Sequence, residues 1–232
     1  MTNLILRSLP KEEHAAIMGH STPVNLSQSD VIHQYGHSIE DVYFPESGMV
    51  SLLTGRNGRA IATGVVGREG VVGSKVVLGS HEAHGAGIVH LSGHALRMPT
   101  ARFLQAYAQL PTFTRLVNDH IGLLLFQAEQ NALCHAHHSI ESRFCRWLLQ
   151  AADRLDSNVL ELTQESCAQT LGVQRTSVSM VAHTLQLAGA IRTRRGKIEI
   201  LDRGRLVNAA CECYGQVKER FDTAYSAYSN AA

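Results

Sequence analysis

The spacing of apolar residues changes character along the chain, and each change predicts a different kind of element. Residues 3–20 alternate at helical spacing and predict a short amphipathic lead-in, with Leu4, Ile5, Leu9, Ala15, Ile17 and Met18 available to dock on the β-rich segment after it. From Ser21 to Met98 short β-prone pieces take over: Asp30 to Gln34, Asp41 to Phe44, Gly48 to Leu53, Ala60 to Val66 and Gly87 to Leu91. Turn signals separate them at Tyr35-Gly36-His37, Pro45-Glu46-Ser47-Gly48 and Gly55-Arg56-Asn57-Gly58. Many short strands at intervals of about 8 to 12 residues predict a β-roll or sandwich. The glycine-dense run Gly64 to Gly73, GVVGREGVVG, interrupts it with backbone able to turn sharply or approach a ligand.

Helical spacing returns at Pro99. Pro99 to Tyr107 predicts a short helix, and Pro111 opens a long one reaching about Cys134 or beyond. Leu116, Ile121, Leu124, Ala128 and then Asn131 or Leu133 mark one stripe of it, while Val117, Leu123, Leu125 and Phe126 add apolar residues outside that stripe. A helix apolar on more than one side needs more than one partner, so one face is expected against the chain's own β-rich half and another against a twin helix in a homodimer. The bland reading is a helix buried within a monomer. Ser139 to Leu155 predicts a further helix with Ile140, Phe144, Trp147, Leu148 and Ala151 inward and Glu141, Arg143, Arg146 and Asp153 outward. Near the end, Asp202 is expected to N-cap a last helix from Arg203 to about Asn230, with Leu206, Ala210, Tyr214, Val217, Phe221 and Tyr225 along one side. The expected division is therefore 1–110 for the β-roll with its lead-in, 111–137 for the long helix, 138–202 for a DNA-reading unit and 203–232 for the C-terminal helix.

That DNA-reading unit rests on Leu162 to Gly189, LTQESCAQTLGVQRTSVSMVAHTLQLAG. Thr163 can cap a first short helix, with Ser166 in place of the acidic partner of a full capping box. Ala168 is small where a second helix must cross closely, and Gly172 stands where the turn needs positive φ. Val173, Val178, Val181 and Leu185 supply the apolar side of the second helix, leaving Arg175, Thr176, Ser177, Ser179 and His183 on its other sides as donors. These offsets predict a helix-turn-helix, with Gln164 at the start of its first helix as a further contact. Ala190 to Leu201, AIRTRRGKIEIL, alternates about a basic centre and predicts a two-stranded wing whose Arg195 and Lys197 lie on a phosphate backbone.

Charge supports this placement only when read locally. The 232 residues carry a net charge of +1, which by itself does not suggest nucleic acid. Between Gly172 and Arg205, however, seven Lys or Arg face two acids, an excess of five, whereas residues 1–110 carry eight of each. The chain is 44% hydrophobic and 18% charged, without an apolar run of membrane-spanning length, and its N-terminal apolar run is too short for a signal peptide. Five cysteines, Cys134, Cys145, Cys167, Cys211 and Cys213, read as reduced thiols. A cytoplasmic protein is expected.

A β-roll, a long helix, then a helix-turn-helix and wing resemble the Crp/Fnr family of bacterial transcription regulators over residues 3–201, most specifically in LTQESCAQTLGVQRTSVSMVAHTLQLAGAIRTRRGKIEI. The resemblance implies an α+β fold with an N-terminal cyclic-nucleotide-binding-like jelly roll, a dimerisation helix and a C-terminal winged helix-turn-helix. It also implies that the second helix enters the major groove with Arg175 on a guanine. Thr176 replaces the family's acidic reader and Met180 its later arginine, so the family's usual half-site does not carry over. The expected partners are duplex DNA, a second copy of the chain and RNA polymerase, with an effector of unknown identity and no membrane.

The family's cyclic-nucleotide contacts are missing. Val71 stands where the resemblance places the phosphate-binding glutamate, Ser80 to Ala86 offers no arginine, and Leu124 and Ala128 occupy the long-helix positions. Without a guanidinium fork a phosphodiester would meet apolar side chains, so a degenerate pocket at Glu69, Gly70, Val71, His84, Leu124 and Ala128 and independence of cyclic AMP are expected. His135, His137 and His138 beside Cys134, and His81, His84, His90 and His94 in the β half, raise metal or haem; surface polar histidines are the expected reading, with no metal and no cofactor. Residues 1–133 contain no cysteine, which excludes the family's N-terminal iron-sulfur arrangement. Cys211 and Cys213 are expected as buried helix residues, with redox activity as their alternative. Rival readings are a sensor of another ligand or of redox state, a protein-binding module, and an enzyme using Glu69 with His81 or His84 as acid and base.

Overall fold

The computed structural model describes residues 3–56, 59–155 and 157–229, the side chains of 56, 59 and 227–229 excepted. Asn57 and Gly58 of the expected turn, and Asn230, lie outside the described residues. The lead-in is two helices, α1 (Leu4–Arg7) and α2 (Lys11–Met18), because Pro10 follows Leu9 and bars a continuous helix. Ile5, Leu6, Leu9 and Ile17 are buried; Ala15 and Met18, expected to dock, are exposed.

Seven strands come next: β1 (Thr22–Leu26), β2 (Val31–His33), β3 (Asp41–Pro45), β4 (Met49–Arg56), β5 (Arg59–Val66), β6 (Ala86–Leu91) and β7 (Gly93–Pro99). They pair as two sheets of order β1-β7-β3 and β2-β6-β4-β5. Leu26 and Ala95 of the first sheet share a core with Val50, Val66 and Val89 of the second. The sequence pattern missed β1 and β7, which carry Pro23, His94, Arg97 and Pro99 and pair with each other from Thr22↔Arg97 to Leu26↔Gly93. Pro23 is tolerated because β1 is an edge strand, where a missing N–H breaks no ladder.

Helix α3 (Thr100–Gln109) leads into α4 (Pro111–His137), and α4 runs across the roll. Leu116 (1% exposed) and Leu124 (5%) are buried in the chain's own core. That corrects their expected place at a dimer contact, since no second chain can reach them. The large apolar side chains α4 leaves exposed are Leu125 (61%) and Leu133 (44%); Ile121 and Ala128 are half-buried.

Beyond α4, α5 (Ile140–Leu155) is buried on nearly its whole circumference. Phe144, Trp147, Leu148, Leu149, Ala151 and Ala152 join a core that holds Met49, Val65 and Leu91 of the roll on one side and Leu171, Val178 and Leu185 on the other. Arg143 and Arg146, expected outward, are therefore inside, together with Arg154. Buried arginine needs partners: Arg143 donates to the Leu171 carbonyl at 3.2 Å, Arg146 to Asn131 Oδ1 at 2.5 Å, and Arg154 Nε pairs with Glu69 Oε1 at 2.7 Å.

The DNA-reading unit continues with β8 (Val159–Leu160), α6 (Gln164–Leu171), α7 (Arg175–Leu187), β9 (Ile191–Arg194) and β10 (Lys197–Ile200), in a sheet of order β8-β10-β9. The sequence pattern carried no sign of β8, two residues long. The expected last helix is two, α8 (Arg203–Ala209) and α9 (Cys213–Ser229), broken where Ala210 turns extended at φ −71°, ψ 153°. Val217 and Phe221 of α9 bury against Leu123 of α4, which gives the apolar side of that segment its partner.

Removing one member of a buried ion pair leaves the other charge uncompensated, at about 3–5 kcal/mol. Glu69→Ala is accordingly expected to lower the unfolding free energy from urea titration by that order, and the joint replacement of Glu69 and Arg154 by methionine to lower it much less.

Candidate nucleic-acid interface

Thr163 caps α6 through a reciprocal box: its Oγ1 accepts from Ser166 N at 3.0 Å and Ser166 Oγ accepts from Thr163 N at 3.2 Å. The helix ends at Gly172 in the left-handed region, φ 63°, ψ 37°. A Cβ at Gly172 would also lie 2.2 Å from Ile61 Cγ2 on β5, so the turn requires glycine for its backbone and for its closeness to the roll. After the turn, α7 buries Val178, Ala182 and Leu185. Arg175, Thr176, Met180 and His183 are exposed, with Ser177 and Ser179 half-buried. Ser179 Oγ donates to Gln164 Oε1 at 2.6 Å, so Gln164 and Ser179 lock α6 to α7. Both were expected as DNA contacts.

The wing is fastened to the same helix. Gln186 Oε1 accepts from Thr193 N and Thr193 Oγ1, both at 2.8 Å, and Gly196 turns the hairpin at φ 72°. Lys197, expected on phosphate, pairs with Glu161 at 2.7 Å, and Arg192 pairs with Glu199 at 3.1 Å. Both pairs are exposed and solvent-screened, so they are weak and exchangeable. Arg175, Arg194 and Arg195 have no ion-pair partner among the described residues. An exposed helix N-terminus rich in donors, flanked by a basic hairpin, suits a major groove bordered by phosphates.

Comparison with known proteins leads to the same place. Residues 23–109 match the model of the cyclic nucleotide-binding domain, and residues 142–209 that of the Crp-like helix-turn-helix domain. The chain belongs to the Crp/Fnr family. Its activity is DNA-binding regulation of transcription. Solved structures share the fold: a transcriptional regulator of the crp/fnr family from Eubacterium rectale is 17% identical, with 88% of this chain and 96% of that one covered and a TM-score of 0.69. FixK2 from Bradyrhizobium japonicum is 17% identical over 82% of this chain and 98% of that one, at a TM-score of 0.70. The c-di-GMP responsive global regulator CLP from Xanthomonas campestris is 16% identical over 82% and 99%, at 0.68. No curated protein matches the sequence at a significant level.

The Crp/Fnr roll holds a cavity of about 360 Å³ here. Val71, His84 and Leu124 line it, as expected; Glu69, Gly70 and Ala128 do not. Glu69 is 6% exposed and faces Arg154 and Gly67 N, which removes it from both the expected pocket and the acid-base pair of an enzyme reading. Gly70 packs flat on His120, where a Cβ would lie 2.2 Å from Cε1. Lys75, His33, His84 and Glu82 are the charged or protonatable groups of the lining, and no arginine is among its described residues. Ser80 Oγ and His84 Nε2 are 3.2 Å apart.

Several histidines and cysteines are placed unlike the expectation. His90, read as a surface residue, is 3% exposed, with Nε2 2.9 Å from Thr170 Oγ1 and its ring edge-on to Trp147. His138 stands beside Cys134, Cys211 and Cys213, with Nε2 3.1 Å from Glu212 Oε1, whereas His135 turns to the Asn131 carbonyl and His137 is exposed. Cys211 lies in the link between α8 and α9, and all five cysteines are buried and free. The hydrogen bond from Cys134 lowers the Cys211 thiol below the usual thiol range, with burial opposing and the Arg146 charge assisting; the same contact pushes Cys134 up. No helix among the described residues is long and apolar enough to cross a membrane.

His120 gives the roll a pH dependence. Its Nε2 accepts from Val71 N at 3.0 Å, and burial lowers its pKa from 6.5 to about 4, only partly opposed by the Val71 carbonyl and Glu69. The folded protein thus binds this proton less readily than the unfolded chain. Stability is expected to be full above about pH 6.5 and to fall on acidification to about pH 4, by a loss on the order of 3 kcal/mol. Urea titrations across that window should show a shallower pH slope for His120→Asn than for the natural chain.

Proposed function

We propose that the protein binds duplex DNA as a homodimer, each α7 entering the major groove of one of two half-sites related by two-fold symmetry, and that it regulates transcription in the cytoplasm without catalysing a reaction and without cyclic AMP. The observation that carries the reading is the division of α7: Val178, Ala182 and Leu185 are buried while Arg175, Thr176 and His183 stand exposed at and after its start. Arg175 presents two parallel donors to a guanine edge, and Thr176, Ser177 and His183 serve bases or phosphates beside it. Arg195 and Lys197 take phosphates, Lys197 by exchanging Glu161. Gln164 and Ser179 act through the α6–α7 angle.

The dimer face proposed is a stripe of α4 made by Gly122, Leu125, Ala132, Leu133 and Ala136, bordered by Ile121 and Ala128. All five residues of the stripe are exposed, and open space surrounds a Cβ built at Gly122. Small residues allow close approach of two helices, and Leu125 and Leu133 supply the apolar area that favours it. Independence of cyclic AMP is supported by the absence of arginine from the described lining of the roll's cavity, where a phosphodiester would find no bidentate partner.

Mobility shifts on duplexes recovered by selection from a random library, at two salt concentrations and without added nucleotide, test this. Arg175→Ala is expected to lose about 1–3 kcal/mol of discrimination at one base pair of each half-site. Arg195→Ala is expected to weaken binding to all sequences and flatten the salt dependence. Binding indifferent to sequence once salt is raised would overturn the reading. In sedimentation, Leu125→Asp is expected to shift the dimer to monomer and to abolish binding to paired half-sites, leaving the circular dichroism spectrum unchanged.

A further inference from the structure

Four side chains that DNA binding does not use come together at the foot of the DNA-reading unit. Cys134 lies in the last turns of α4, His138 caps that helix, Cys211 lies in the link between α8 and α9, and Cys213 begins α9. One ligand atom from each lies within 4.8 Å of all the others; Cys134 Sγ and Cys211 Sγ are 3.5 Å apart, and Cys213 Sγ is 3.7 Å from His138 Nδ1. Cys134, Cys211 and Cys213 are buried and His138 is half-buried.

We propose that Cys134, His138, Cys211 and Cys213 form a tetrahedral site for one zinc-class divalent cation. Metal–sulfur bonds of about 2.3 Å and metal–nitrogen bonds of about 2.0–2.1 Å in a tetrahedron separate neighbouring donors by about 3.5 to 3.8 Å. The two short separations already have that length. Three thiolates and one imidazole are a donor set that selects zinc over magnesium or calcium, and four ligand atoms gathered this closely suit a single ion, since a two-iron cluster would hold two pairs of ligands apart.

Three surrounding features support the ion independently of the ligand spacing. His138 offers Nδ1 to the centre and donates its Nε2–H to Glu212 Oε1 at 3.1 Å, the carboxylate–histidine pairing that fixes tautomer and ring orientation at metal sites. Glu212 lies between two of the ligands in sequence, so the Cys-Glu-Cys segment supplies both metal and outer contacts. Arg143 and Arg146 are 7% and 4% exposed, and their Nε atoms, with Nη1 of Arg146, have no hydrogen-bond partner among the described residues. Three thiolates on a dication leave a net negative centre, which offsets those buried cations. Binding releases the thiol protons to solvent and changes no oxidation state.

The position gives the ion a task. Cys134 and His138 stand at the end of α4, just before α5, and Cys211 and Cys213 in the link after α8 and at the start of α9. The ion therefore clamps the two ends of the DNA-reading unit to each other and to the end of α4. The geometry of the site does not rest on how α7 meets DNA.

Elemental analysis of the full chain, prepared without a metal-binding tag, is expected to find about one zinc per chain. After removal of metal under reducing conditions, titration with Co²⁺ is expected to give tetrahedral d–d absorption with thiolate-to-cobalt charge transfer, saturating at one equivalent. Cys213→Ser should abolish both signals, while Cys145→Ala and Cys167→Ala retain them; Glu212→Ala should weaken zinc affinity about 10- to 100-fold. The cobalt titration uses the natural chain, so a variant that fails to fold does not decide the matter. Zinc-free protein whose reduced form gives no thiolate–cobalt band, stoichiometric iron or copper in place of zinc, or a Cys134–Cys211 disulfide in anaerobically purified protein would each overturn the proposal.

Discussion

Helix α5 is buried from both sides, and that constraint fixes where everything C-terminal to it stands. Its apolar residues fill a core shared by the roll and the DNA-reading unit. Its arginines carry the polar half of the same contact: Arg154 holds Glu69 of the roll, Arg146 holds Asn131 of α4, and Arg143 holds the carbonyl that ends α6. Apolar burial supplies attraction without direction, about 1.5–3 kcal/mol for each fully buried large side chain. The charged contacts add direction, because an arginine sealed from water without its partner is heavily penalised. A helix held this way behaves as a rigid hub between the two halves.

The exposure of α7 is a consequence of that hub. With α5 seated, α6 turns toward β5, where Gly172 meets Ile61, and Thr170 reaches His90 across the boundary. The first helix of the helix-turn-helix is thereby occupied with the roll, and the second is left facing solvent. Gln164 with Ser179 and Gln186 with Thr193 then hold α7 and the wing as one surface. Donors set at fixed separations match base edges and phosphates at a lower ordering cost than donors on independent loops.

Features legible in the sequence and features hidden in it divide along a physical line. The helix-turn-helix was legible because its determinants are local: a cap at Thr163, a glycine at Gly172, apolar residues at helical intervals through Leu185. Five of the seven roll strands were legible by their β-branched content, whereas β1 and β7 carry proline and charge that only an edge position or pairing across about seventy residues makes acceptable. The burial of Arg143 and Arg146 was illegible for a different reason. A charged residue at helical spacing reads as outward until a second layer covers it, and the covering layers come from distant segments. Convergence of Cys134 and His138 with Cys211 and Cys213 is likewise a property of the fold across 77 residues, although the Cys-x-Cys pair and a Cys four residues before a histidine were visible from the start.

The roll's cavity is joined to the hub by three consecutive residues. Val71 lines the cavity and donates its N–H to His120; Gly70 rests on the same imidazole ring; Glu69 grips Arg154. No side chain larger than hydrogen fits at Gly70, and His120 is held neutral by burial at ordinary pH, so the segment has little room to move independently of either neighbour. Contiguity of this kind becomes signalling only when an element has two stable arrangements that both ends bias. In this protein such an element must include Glu69 and Arg154, because any rearrangement of the segment that separates them strands two buried charges, and any rearrangement that keeps them together carries α5, and with it α7, along.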